Sequence, residues 1–288
     1  MFELIDDARK QILRDKHTLL EGYVSEYYFE QQFLRNKESG YTNGWWSAVR
    51  DNRRFFFLVK EKMNIVDEKV FMLLKQQYEC WVAYPKGCEW FFFDGNSEIK
   101  ANEFLQNYGF NAIRNELAAT EDTRNIERQN QCLSFFEKKE IIHKIAIERN
   151  FADDFLTTYF QSMVNIDFIT ENSAGILCVM EVKFKYENRA GNFGIIAGQV
   201  QMFAILESIG FEIHHMILYN HTKDKDLSVF GFLEVDADKY WLYGKLSGFS
   251  HRRACIAPKE TSVDGRSMQT YYSFGMKELS RRYKLVIS

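Results

Sequence analysis

Three residues in the second half of the chain, Asp167, Glu181 and Lys183, are of types that do chemistry together. Glu181 and Lys183 stand two apart in VMEVKFKYE, residues 179–187, where apolar and charged residues alternate as in a half-buried strand. Alternation puts Glu181, Lys183 and Lys185 on one face and Val182 and Phe184 on the other. Asp167 lies 181 − 167 = 14 residues earlier, in the strand-like MVNIDFIT, with a turn between. The two strands are therefore expected to pair and to bring both carboxylates to one end of a sheet. Hard cations such as Mg²⁺ take one or two carboxylates and otherwise keep water, so Asp167, Glu181 and the Val182 carbonyl form an expected Mg²⁺ site, with Mn²⁺ as a substitute. An ammonium beside such a site, here Lys183, helps to orient a water and to offset charge developing on a phosphate. That chemistry is phosphodiester hydrolysis.

Asp167 followed by Glu181-Val182-Lys183 resembles the core of the PD-(D/E)xK nucleases. Downstream, AGQVQMFAIL (197–206) is similar to the Gln-bearing helix of RecB-type and lambda-exonuclease-like members. The RecB-type pattern is Q-x-x-x-Y; here it runs from Gln199 to Phe203, and no proline precedes the acidic residue, where Asn165 and Ile166 stand. The resemblance covers about 135 to 235. It implies a restriction-endonuclease-like α/β fold, a mixed sheet flanked by helices, built as a helix, three strands, a helix and a further strand. It also implies a Mg²⁺-dependent deoxyribonuclease in which Asp167 and Glu181 hold the metal, Lys183 positions or activates the water and Gln199 supports the site, with Gln201 as the fallback. Many members add an acid or histidine from the helix before the first strand; Glu137, Glu140, His143 and Glu148 stand open for that role, with Glu140 favoured.

Other features bound the reading. The chain has 288 residues, 46% hydrophobic and 27% charged, enough for one large or two modest domains. No apolar run approaches the length of a bilayer span, and MFELIDDARK does not read as a signal peptide, so a cytoplasmic protein without a membrane partner is expected. Five scattered cysteines without CxxC spacing argue against a disulfide framework, zinc or an iron–sulfur cluster. No GxxxxGK[ST] or GxGxxG is present, so no nucleotide-driven motor is encoded. A net charge of −3 argues against a basic coat but leaves local patches. The GWW at 44–46 with Arg50, Arg53 and Arg54 offers either a stacking clamp for a strand or a core tryptophan pair beside a solvated turn. HRR at 251–253 and SRRYK at 280–284 offer phosphate contacts or plain wet surface. His214, His215 and His221 lack the spacing of a metal set and read as structural.

The elements that must position these residues follow from pattern. Residues 3–37 and roughly 100–149 read as helical, and RRFFFLVK, YECWVAYP and CEWFFFDG as strands, the last two joined at Lys86-Gly87 as a hairpin. From 163 the expected order is strand, turn, strand, connector, helix ending at Gly210, strand EIHHMILY and strand LSVFGFLEV. The organisation expected is an accessory or recognition region over 1–125, of helices and a β-hairpin, and a nuclease domain over 126–288. The partner implied is DNA, duplex by preference, with a homodimer suited to cutting both strands as a restriction-type or phage-defence endonuclease. An end-processing exonuclease and a non-catalytic nucleic-acid-binding protein are the alternatives.

Overall fold

A run such as RRFFFLV leaves no polar face for water, and it forms a strand whose residues 55–59 are all buried. The computed structural model describes residues 3–35, 37, 40–114, 125–186, 193–220, 222, 227–233, 241–248, 255–256, 270–274 and 277–278. The chain is mixed α/β, with two mixed sheets and flanking helices. It divides into two compact units, Met1–Tyr27 with Tyr41–Phe168, and Tyr28–Gly40 with Ile169–Ser288.

The first unit holds α1 (Glu3–Leu13), α2 (His17–Phe29), β1 (Tyr41–Thr42), β2 (Trp45–Arg50), β3 (Arg53–Val59), α3 (Ile65–Lys75), β4 (Glu79–Lys86), β5 (Glu89–Phe93), β6 (Glu98–Lys100), α4 (Ala101–Tyr108), α5 (Ile126–Lys138), α6 (Ile142–Asn150), α7 (Thr157–Tyr159) and β7 (Ser162–Ile166). Its sheet runs β6-β5-β4-β3-β2-β7, parallel only between β3 and β4, where α3 makes the crossover. The hairpin expected at Lys86-Gly87 is present, and Gly87 supplies the positive φ of 63° that the turn needs. One face packs Phe55, Phe57, Phe92, Phe104, Phe151 and Phe155 into a single aromatic core, mostly edge-to-face.

The boundary expected at 125/126 falls inside this unit. The reason is packing: α6 and the wide helical turn after it, Phe151–Leu156, contribute Ile147, Phe151, Phe155 and Leu156 to the aromatic core.

The second unit holds β8 (Phe168–Glu171, its first residue in the first unit), β9 (Leu177–Lys185), β10 (Phe193–Ile196), α8 (Ala197–Ser208), β11 (Glu212–Tyr219), α9 (Val229–Leu233), β12 (Trp241–Leu246), β13 (Cys255–Ile256), β14 (Thr270–Phe274) and β15 (Lys277–Glu278). The order β8-β9-β11-β12-β15 forms its main sheet; β9 and β11 are parallel and β11 and β12 antiparallel. A small sheet, β10-β14-β13, stands apart from it. Gly210 ends α8 with φ +100°, its N–H donating to the Glu207 carbonyl while that of Phe211 reaches Leu206. Two expectations change. MVNIDFIT is two strands, β7 and β8, serving different sheets with Asp167 between them. In LSVFGFLEV, residues 229–233 form α9, and the strand that follows β11 is β12.

Candidate functional site

Parallel central strands are covered on both faces, so a charged residue in one is desolvated unless it is paired. Glu181 is such a residue. It stands in the middle of β9 with 1% of its surface exposed, so it is not the solvent-facing strand charge that alternation also allowed. Two groups are directed at its Oε1. The Lys183 ammonium, on the same face and 24% exposed, lies 2.6 Å away, and the Gln199 amide, buried on α8, donates to the same oxygen. The crossover places Gln199: α8 runs between parallel β9 and β11 and covers the face that carries Glu181. Gln201 is exposed and Phe203 is fully buried in the core, which settles which glutamine belongs to the cluster. Val182 is in register with Met216 and buries its side chain on the other face.

Asp167 is 4% exposed, accepts a 2.8 Å hydrogen bond from the Asn165 side-chain amide, and stands directly before β8, the strand beside β9. The turn joining β8 to β9 is held by the Asn172 side chain, which accepts from the N–H groups of Ala174 and Ile176.

Glu140 lies between two helices and not within one. The helix read through 133–149 breaks there: the N–H of Ile141 returns to the Phe136 carbonyl and that of Glu140 to Glu137, closing α5 with Glu140 at φ +58°. Glu140 is exposed at this turn and does not share a helical face with residues 144 and 148. Of the other residues open for that role, Glu137 pairs with Arg9 at 3.1 Å, His143 is exposed and Glu148 is half-buried. The tryptophans of the GWW segment are core residues. Arg50 donates to the Tyr159 carbonyl, Arg53 pairs with Glu79 and Arg54 donates to Ser47. His221, 251–253 and 280–284 lie outside the described residues.

One residue of this face was missed. His215 is paired in register with Glu181, and parallel neighbours in register point to the same side of the sheet. It is 1% exposed; burial holds its imidazole well below the usual histidine range, and the charges of Lys185 and Lys183 push the same way. Its sequence signal, a polar residue inside the apolar run EIHHMILY, is the same as that of His214, which faces the other side.

No family model, no curated protein and no solved structure matches the chain.

Proposed function

We propose that the chain is a Mg²⁺-dependent DNA nuclease of the PD-(D/E)xK type, with Mn²⁺ as a substitute. What carries this reading is one contact set: Lys183 and Gln199, from different elements, both directed at Oε1 of the buried Glu181. The order of elements supports it in part: β8, β9, crossover helix α8 and parallel β11 follow one another, but of the three strands implied before the helix, β7 serves the other sheet. The donor types suit a hard cation: Glu181 and Asp167 would offer carboxylates and the Val182 carbonyl a further oxygen. Asp167 is included by its place in the sequence, directly before β8.

When bound there, Mg²⁺ supplies positive charge against the phosphate. The chain does the rest. Glu181 and Asp167 would hold the cation, and Gln199, donating to Glu181, orients that carboxylate. Lys183, partly exposed, would orient the attacking water and offset charge on the phosphate oxygens. Burial and the charges of Lys185 and Lys183 disfavour the protonated form of His215 on the same face. An endonuclease on duplex DNA, of restriction or phage-defence type and acting as a homodimer, is the form proposed.

Supercoiled plasmid and end-labelled linear duplex, each with Mg²⁺, Mn²⁺ or EDTA, test this. Metal-dependent cutting of the plasmid that Lys183→Ala lacks is the result expected. Loss of the linear substrate alone assigns an end-processing exonuclease, the reading that the Gln199 contact also favours. DNA retarded in a gel but cut under no metal assigns a non-catalytic binding protein.

A further inference from the structure

The face of the β9-β11 pair opposite Glu181 carries a second cluster. Cys178 on β9 is in register with Glu212 on β11, and His214 follows two residues on, so all three point to one side. The Cys178 sulfur lies 3.8 Å from Glu212 Oε2, and His214 Nε2 lies 3.4 Å from the same oxygen. One ligand atom from each residue falls within 4.8 Å of the others. Zinc bonds of about 2.0–2.3 Å at tetrahedral angles put neighbouring ligand atoms roughly 3.3–3.8 Å apart. The two separations match that spacing; the His214 one is long for an N–H···O hydrogen bond, and the Cys178 one is also within reach of an S–H···O bond.

Two further observations point to a ligand. His214 is 1% exposed, stacked on Tyr243, and neither ring nitrogen makes a hydrogen bond to the described residues, a costly state for a buried imidazole without a ligand. The other oxygen of Glu212, Oε1, is held at 2.7 Å by Lys245, which leaves Oε2 aimed between the sulfur and the imidazole. Charged partners that orient a ligating carboxylate from behind are a recurrent part of metal sites.

We infer that Cys178, Glu212 and His214 form a second metal centre, one that takes zinc. The set is a thiolate, a carboxylate and an imidazole, borderline-soft donors that suit Zn²⁺ and not the Mg²⁺ of the opposite face. Binding releases the Cys178 thiol proton to solvent, and thiolate plus carboxylate then balance the dication. Lys245 and Lys37 are the ammonium groups nearby. The fourth position falls to water at Glu212, whose side chain is 24% exposed. The centre ties β9 to β11 across their register, and it stands whether or not the nuclease reading does. It runs against the sequence expectation that cysteine spacing argues against zinc, since these side chains meet through strand pairing and not through spacing along the chain.

Cobalt(II) tests it, replacing zinc with a visible spectrum. The full chain, stripped with EDTA, is titrated with Co²⁺ and then back-titrated with Zn²⁺. The expected result is one equivalent with a thiolate-to-cobalt charge-transfer band that zinc removes, lost in Cys178→Ser and at least tenfold weaker in Glu212→Gln and His214→Gln. Glu181→Gln, on the other face, keeps the band. Absence of a thiolate band in the wild-type chain overturns the proposal, as does a band of unchanged affinity in Glu212→Gln, a partly exposed site.

Discussion

The two units are built on the same central device, a parallel strand pair with a helical crossover, yet they bury opposite kinds of side chain. In the first, β3 and β4 bury Phe55, Phe56, Phe57, Leu58, Cys80, Trp81 and Val82, all apolar. In the second, β9 and β11 bury Val179, Met180, Val182, Ile213 and Met216, but also Glu181, His214 and His215. Each buried polar group forfeits solvation, so a strand pair that carries three of them has given up stability that the first pair keeps. The first unit is a scaffold, and the second keeps polar groups where chemistry is proposed.

The comparison breaks or sharpens by mutation. The largest effect is expected from Phe57→Ala, which empties the centre of the aromatic core and costs about 3–5 kcal/mol, read as a lower urea midpoint. A small cost there would mean that the first unit is not the stable one. Lys183→Ala is expected to lower metal-dependent cleavage at least 100-fold or so, about 2.7 kcal/mol, and also to lower the midpoint, because it leaves the buried Glu181 carboxylate without its ammonium. Glu181→Gln should abolish cleavage and raise the melting temperature, because it removes a buried charge from a site held at a stability cost. A strongly destabilised Glu181→Gln with cleavage intact would make the cluster a structural ion pair.

Charge is buried in the first unit too, but as a paired network. Arg149 bonds Asp15 at 2.7 and 2.8 Å and Asp153 at 2.6 Å. Burial pushes the Asp153 carboxyl up to about 6; Arg149 opposes this, but it is shared with Asp15, whose own charge adds to the push. A carboxyl raised in the fold stabilises below its unfolded value near 4 and loses that contribution as pH climbs through 6. Asp153→Asn should therefore flatten the fall in stability between about pH 4 and pH 6, worth up to roughly 2–3 kcal/mol, measured as melting temperature against pH. The smallest effect is Glu140→Gly. Relief of the left-handed backbone should add about 0.5–1 kcal/mol and leave cleavage alone. A loss of cleavage with unchanged stability would return Glu140 to the site.

Several elements were legible because their signals are local. The strand EIHHMILY, the Lys86-Gly87 turn and the glycine stop at Gly210 depend on residues within a few positions, and all three are present. The break at Glu140 was hidden because no glycine or proline marks it; only the hydrogen bonds of a closing helix reveal it. The split of MVNIDFIT was hidden for a different reason. Both halves have strand character, and which sheet each serves is decided by partners elsewhere in the chain.

By itself the sequence determined residue types and short-range geometry. Glu181, Lys183 and His215 are where they are along their strands because alternation is a property of the backbone. What only the tertiary structure decided is depth and pairing: that Glu181 is buried and not wet, that Gln199 and not Gln201 reaches it, and that Cys178 meets Glu212 and His214. The last contact joins residues 34 apart through the parallel register of β9 and β11. Register is set by the packing of whole strands, and no spacing along one chain segment encodes it.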